Sequence, residues 1–268
     1  MRSLALHNLK GGVGKTTAAV NLAFLSSKCG LRTMLWDLDP QGASSMYLNV
    51  GPGLPGGAEK MLRGDELAQA IKRTSYARLD VLPADLSLRL LDIELDHVKK
   101  PKKRIARIME ELGARYDVMI LDAPPGLGLL SEAILRAVDL LLVPVIPSPL
   151  GIYVYERMSA HLRQEGYDLR RVPAFFSMVD RRRRGHREIV ETYAGRREPY
   201  LSCTIPYAAE IEKMGVHRAP LGVGPKETAA SRAYAALWGE TSARLGFRPV
   251  VRPAAPPPEQ AQLAQPAP

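Results

Sequence analysis

The chain has 268 residues, 46% of them hydrophobic and 24% charged, which fits a folded globular protein with a full core and excludes a disordered chain. Its formal net charge is +9, and the excess leans toward the C-terminal part: residues 1–150 carry 19 basic and 16 acidic side chains, residues 151–268 carry 18 and 12. Such a surface predicts a polyanionic partner, nucleic acid ahead of anionic membrane, while no apolar run reaches the roughly 18 residues of a spanning helix.

Apolar runs of strand length recur along the chain, at Ser3–His7, Thr33–Asp37, Leu79–Leu82, Val118–Asp122, Leu140–Val145 and Val172–Ser177. Several are near-continuous rather than alternating, the pattern of strands covered on both faces. Amphipathic stretches lie between them, at Thr16–Cys29, Asp65–Arg73, Leu86–Leu112, Leu129–Val138, Ile152–Glu165 and Glu188–Ala194, with a closing helix at Lys226–Leu245. Pro101 predicts a break inside the third of these. The alternation predicts an α/β fold, a doubly wound and mostly parallel sheet flanked by helices, in one domain over residues 1–247. Residues 248–268 are rich in Pro, Ala and Gln and read as a disordered tail. The N-terminus lacks a cleavable signal pattern, which predicts a cytoplasmic chain. Cys29 and Cys203 stand alone and read as reduced thiols.

The first strand runs into Asn8-Leu9-Lys10-Gly11-Gly12-Val13-Gly14-Lys15-Thr16-Thr17 and then a helix. Glycines let the backbone wrap closely around phosphate oxygens, and the helix N-terminus adds further N–H donors. Residues 11–17 therefore read as the nucleotide-binding loop: Lys15 reaches the β- and γ-phosphates and the Thr16 hydroxyl ligates Mg²⁺. The strict phosphate-loop pattern fails at its first glycine, where Leu9 stands, and a second lysine, Lys10, precedes Lys15 by five residues. Two lysines in one small loop repel unless an anion lies between them, and a triphosphate supplies it. Downstream, Asp37 and Asp39 are spaced by two and so share one side of an extended chain at the end of the second strand, beside the expected crevice. The fourth strand ends in Asp122, a carboxylate on a rigid strand placed to act on Mg²⁺, usually through water.

Lys-Gly-Gly-Val-Gly-Lys-Thr-Thr resembles the deviant phosphate-loop motif of the ParA/MinD family, and the resemblance extends over roughly residues 2–245. It includes Asp37-Leu38-Asp39-Pro40-Gln41-Gly42, Asp122-Ala123-Pro124-Pro125, Val143-Pro144-Val145 and Thr204-Ile205-Pro206. It implies an ATPase with ATP and Mg²⁺ as cofactors, working as a homodimer with the nucleotide sandwiched between copies. Lys10 would then reach the partner's phosphates, Asp39 would orient the attacking water, Asp37 would support the metal shell, and Pro206 would contact the adenine. It further implies a nucleoid-associated protein, binding double-stranded DNA without sequence preference, stimulated by a ParB-like or cargo-adaptor protein, and positioning or segregating DNA or a protein cargo. After Pro206 the chain departs from the family pattern at Ile211–Arg218.

Candidate DNA contacts are Arg181, Arg182, Arg183 and Arg184, with Lys213, Arg218, Lys226 and Arg232; a second basic cluster runs from Lys99 to Arg104. The bland reading of both runs is a solvated charged loop. Two further readings stay open: a DNA-bound regulator or scaffold in which ATP sets conformation only, and a MinD-like membrane-associated ATPase. The Pro-rich end of the chain, without a basic–apolar helical stripe, speaks against the membrane.

Overall fold

The computed structural model of the chain describes residues 1–64, 67–196, 198–224 and 227–247. Eight strands form one sheet in the order β3-β4-β2-β5-β1-β6-β7-β8. They are β1 (Arg2–Leu6), β2 (Thr33–Asp37), β3 (Lys72–Arg73), β4 (Leu79–Leu82), β5 (Val118–Asp122), β6 (Leu140–Val145), β7 (Ala174–Val179) and β8 (Tyr200–Pro206). All neighbours are parallel except β3, which pairs antiparallel with β4 at the edge. The helices are α1 (Lys15–Lys28), α2 (Ala43–Tyr47), α3 (Gly57–Arg63), α4 (Leu67–Ala70), α5 (Leu91–Asp96), α6 (Arg104–Gly113), α7 (Leu129–Ala137), α8 (Pro149–Gln164), α9 (Arg184–Tyr193), α10 (Ala209–Glu212), α11 (Met214–His217) and α12 (Ala229–Arg244).

The near-continuous apolar strands follow from burial on both faces. Ala5, Met34, Trp36, Met119 and Leu121 join a core with α5 to α8, while Leu4, Leu6, Leu35, Val118 and Ile120 join the opposite core with α1 and α12. Successive residues thus enter different cores, and each large side chain removed from water contributes about 1.5–3 kcal/mol. Helix α12 begins at a capping box in which Thr228 and Ser231 satisfy each other's backbone N–H groups.

Several elements differ from the sequence expectation. The helix expected over 65–73 is one short turn, α4, followed by the edge strand β3, where the Lys72 ammonium donates to the carbonyls of Gly51 and Pro52. The pattern at Leu86–Leu112 breaks twice: a 3₁₀ turn at Leu86–Leu90 precedes α5, and a second at Pro101–Lys103 leads into α6. Strand β7 starts two residues later than predicted, after Pro173, which lacks an N–H but accepts from Val143. Helix α12 starts at Ala229; Lys226 and the expected tail lie outside the described residues.

Candidate nucleotide site

The parallel strands deliver their C-terminal ends to one edge, where β1, β2 and β5 lead into residues 7–14, Leu38–Gly42 and Ala123–Gly128. Register pairs Asp37 with Asp122 and Leu6 with Asp122, so the two carboxylates stand side by side next to the loop that follows β1. In open α/β sheets this crevice is where ligands bind.

The loop is fixed from within. Asn8 Nδ2 donates to the Pro144 carbonyl at 2.7 Å, and its Oδ1 accepts from the Lys10 N–H at 2.9 Å. Gly14 has φ +91°, and a Cβ there would lie 2.8 Å from Ser177 Oγ of β7, so only glycine fits. At Gly11 and Gly12 an added Cβ would meet nothing, so that flank of the loop faces open space. Lys15 folds over the loop, its ammonium donating to the Lys10 carbonyl at 3.1 Å. Burial lowers its pKa, opposed by the charges of Asp122 and Asp39. Lys10 points to solvent, and its ammonium has no partner among the described residues.

Each carboxylate is held by a serine of α2. Ser44 Oγ donates to Asp122 Oδ2 at 2.6 Å; Ser45 donates to Asp37 Oδ2 through its N–H at 2.9 Å and its hydroxyl at 2.8 Å. Both acids are buried. Desolvation, with Asp37 alongside, pushes Asp122 up to about 7 against the hydrogen bonds from Ser44 and Thr16. Desolvation likewise pushes Asp37 up to about 6 against its bonds from Ser45. Two adjacent buried acids with elevated pKa values are unfavourable unless a cation joins them. Asp122 Oδ1 is buried and has no hydrogen-bond partner. With the Thr16 hydroxyl beside Asp122, this all-oxygen donor set fits a hard cation such as Mg²⁺, which takes few protein ligands and keeps several waters.

Asp39 is half-buried on the loop after β2, and its carboxylate accepts from the Gln41 N–H at 3.0 Å. Thr17 Oγ1 donates to the Gly14 carbonyl at 3.1 Å and shares a 3.2 Å hydrogen bond with the buried Tyr234 hydroxyl of α12. Pro206 ends β8 opposite Val179 of β7, on the same sheet edge. The nucleotide candidates are therefore gathered at one edge, Lys10 at its outer margin.

The candidate DNA contacts come from several elements. Arg181–Arg184 follow β7 and continue into α9; Lys213 and Arg218 flank α11 beside α2; Arg232 lies on α12, 3.5 Å from Glu227. Within the arginine run, Arg182 pairs with Asp180 at 2.9 Å and Arg184 with Glu188 at 2.6 Å. Sequence reasoning missed the positioning roles of Ser44, Ser45, Asn8 and Tyr234. The two serines follow the Asp-x-Asp-Pro-Gln-Gly segment after a single alanine, the one local signal that could have pointed to them; Tyr234 is 217 positions from its partner and offered none.

The site defines a phosphate-loop nucleotide-binding protein. The AAA_31 family model, an AAA domain, matches residues 1–164. The chain is 30% identical over 258 residues to the chromosome-partitioning ATPase Soj of Treponema pallidum, covering 92% of this chain and 99% of that protein. Among solved structures it is similar to cobyrinic acid a,c-diamide synthase from Mycobacterium smegmatis with bound ATP analogue and magnesium (27% identity, 89% of this chain and 93% of that one, TM-score 0.72). Its fold also matches a putative plasmid partition protein of Borrelia burgdorferi bound to AMPPNP, at 18% identity over 90% of this chain and 99% of that one, TM-score 0.74. The chain belongs to the ParA/MinD family of P-loop ATPases, on the side of the ParA-like partitioning proteins.

Proposed function

We propose that this chain is an ATP-driven dimerising switch that binds DNA without sequence preference and positions DNA or a protein cargo in the cytoplasm, on the nucleoid, with a stimulating partner. The observation that carries the reading is the pair of buried, adjacent carboxylates, Asp37 and Asp122, facing a glycine loop with two lysines. Such a pair costs stability in the empty protein, and a bound Mg²⁺·ATP offsets that cost.

In this reading the backbone of residues 11–17 and the Lys15 ammonium hold the phosphates. Lys15 exchanges its bond to the Lys10 carbonyl for phosphate oxygens. Thr16 and Asp122 would hold Mg²⁺, with Asp37 behind them, and the bound ion would supply positive charge against the phosphates. Pro206 packs on the base. Asp39 orients a water in line with the terminal phosphate. The Lys10 ammonium, unpartnered among the described residues, reaches the phosphates of a second copy, as a cation supplied in trans stabilises transition-state charge. ATP is then part of the dimer interface, and hydrolysis releases it. Arg181–Arg184, Lys213, Arg218, Lys226 and Arg232 supply phosphate contacts on the dimer, and these weaken steeply with salt.

The test is turnover and mass in solution. Light scattering with a non-hydrolysable ATP analogue gives a dimer for the parent protein and a monomer without nucleotide. Lys10→Ala retains ATP binding and loses about 10²-fold or more of the turnover measured with DNA and partner. A protein that stays monomeric with the analogue, or a Lys10→Ala variant at full rate, would falsify the reading.

A further inference from the structure

A second cationic site lies away from the nucleotide edge. A cavity of about 560 Å³ opens between α6 and α7, lined by most of the segment 99–107 with Glu110, Leu135, Arg136, Tyr167 and Arg171. The segment contributes six cations and Arg136 and Arg171 two more, against one carboxylate, Glu110.

The cations divide into two sets. Lys102 pairs with Glu132 at 2.5 Å, Arg136 lies over the Tyr167 ring at 5.5 Å, and Arg171 donates to the carbonyls of Val138 and Asp139. Arg104 donates to the Leu62 carbonyl. Those four form the wall. The side chains of Lys99, Lys100, Lys103 and Arg107 are exposed and have no hydrogen bond or ion pair among the described residues. Four unpartnered cations converging on one cavity repel one another, and an anion that bridges them removes that cost.

The chemistry of the free set narrows the ligand. Arg104 and Arg171 already donate to backbone carbonyls, and three of the four free groups are lysines, point charges without directional pairing. That suits evenly spaced phosphates read without geometry better than carboxylates gripped two-pronged. No exposed large apolar residue lines the cavity, so it offers nothing to insert into a bilayer. The cavity also shares a helical layer with the Arg181–Arg184 run: α7 and α9 pack on the same core.

We infer that this cavity is a second contact for the phosphate backbone of double-stranded DNA, formed by Lys99, Lys100, Lys103 and Arg107 at the α6–α7 groove. The inference rests on the proposed DNA binding and adds a surface in the N-terminal part of the chain. A duplex held at both places touches more of this helical layer than the arginine run alone.

The experiment is fluorescence anisotropy of a labelled random-sequence duplex with the full chain and a non-hydrolysable ATP analogue, over about 50–200 mM salt. The variant is Lys99→Glu/Lys103→Glu/Arg107→Glu, compared with Arg181→Glu/Arg183→Glu. The groove variant is expected to bind about tenfold or more weaker at mid-range salt, with a log–log salt slope shallower by about 2–3, the count of phosphate contacts removed. Thermal unfolding reports folding; where the melting temperature falls by more than about 3 °C, Lys99→Gln/Lys103→Gln/Arg107→Gln decides instead. Parent-like affinity and slope overturn the inference, as does loss of binding to anionic vesicles or poly-glutamate with the duplex unaffected. If the parent itself ignores the duplex, the DNA-binding part of the proposed function falls along with it; if only the groove variant is parent-like, that part stands.

Discussion

The phosphate loop and the arginine run at 181–184 both concentrate charge at the same edge of the sheet, and they handle it in opposite ways. At the loop the charge is buried: Asp37 and Asp122 stand side by side under Ser44 and Ser45, with pKa values pushed up to about 6 and about 7. In the arginine run the charge is exposed and locally compensated, Arg182 by Asp180 and Arg184 by Glu188. A buried charge pair is costly and implies a cation to join it, whereas exposed pairs contribute about 0–1 kcal/mol and imply little by themselves.

The comparison can be sharpened by removing charge from each side. Asp122→Asn is expected to lower ATP turnover by about 10²-fold or more while raising the stability of the nucleotide-free protein at pH 8 by about 2 kcal/mol, because a neutral amide replaces a desolvated carboxylate. Parallel turnover and denaturation measurements would break the comparison if activity survived or stability fell.

Gly14→Ala is expected to destabilise the fold by about 1–3 kcal/mol, from the strained φ and the contact with Ser177, and to weaken ATP binding with it. Urea unfolding checks this. A neutral effect would mean that the loop is not seated on β7.

His7 gives the pH arm. Burial, with Lys15 nearby, pushes its imidazole down to about 4. The carbonyls of Pro124 and Gly126 lie alongside the ring and oppose this shift, though neither nitrogen makes a well-aligned hydrogen bond. The folded protein therefore holds fewer protons than the unfolded chain between about 6.5 and 4. The stability linked to neutral His7 is present above that window and is lost as pH falls through it, by up to about 3 kcal/mol. In His7→Gln the melting temperature should drop less between pH 7 and pH 5 than in the parent; identical drops would remove His7 from the account.

The smallest effect belongs to the exposed side: Arg182→Ala/Arg184→Ala should change stability by no more than about 0.5 kcal/mol while weakening DNA binding.

The legible parts of the sequence were those fixed by local chemistry. Thr33–Asp37 and Val118–Asp122 match their predicted bounds because strands buried on both faces leave unbroken apolar runs between polar ends. The glycine–lysine loop was readable because close approach to a phosphate demands those residue types in sequence. Strand β8 was not, since its Ser202, Cys203 and Thr204 are polar or half-exposed at the sheet margin and carry no strand period. The stretch 65–73 looked helical because its apolar spacing is too short to distinguish one turn from an edge strand. What holds Asp122, what seats Gly14 and what meets Thr17 are contacts between distant segments, which a local pattern does not contain.

The bond between the Thr17 and Tyr234 hydroxyls fastens the last described helix to the first turn of α1. If the proposed nucleotide recruits Thr17, the pull on Tyr234 changes, and hydrogen exchange along residues 229–244 should then report nucleotide occupancy.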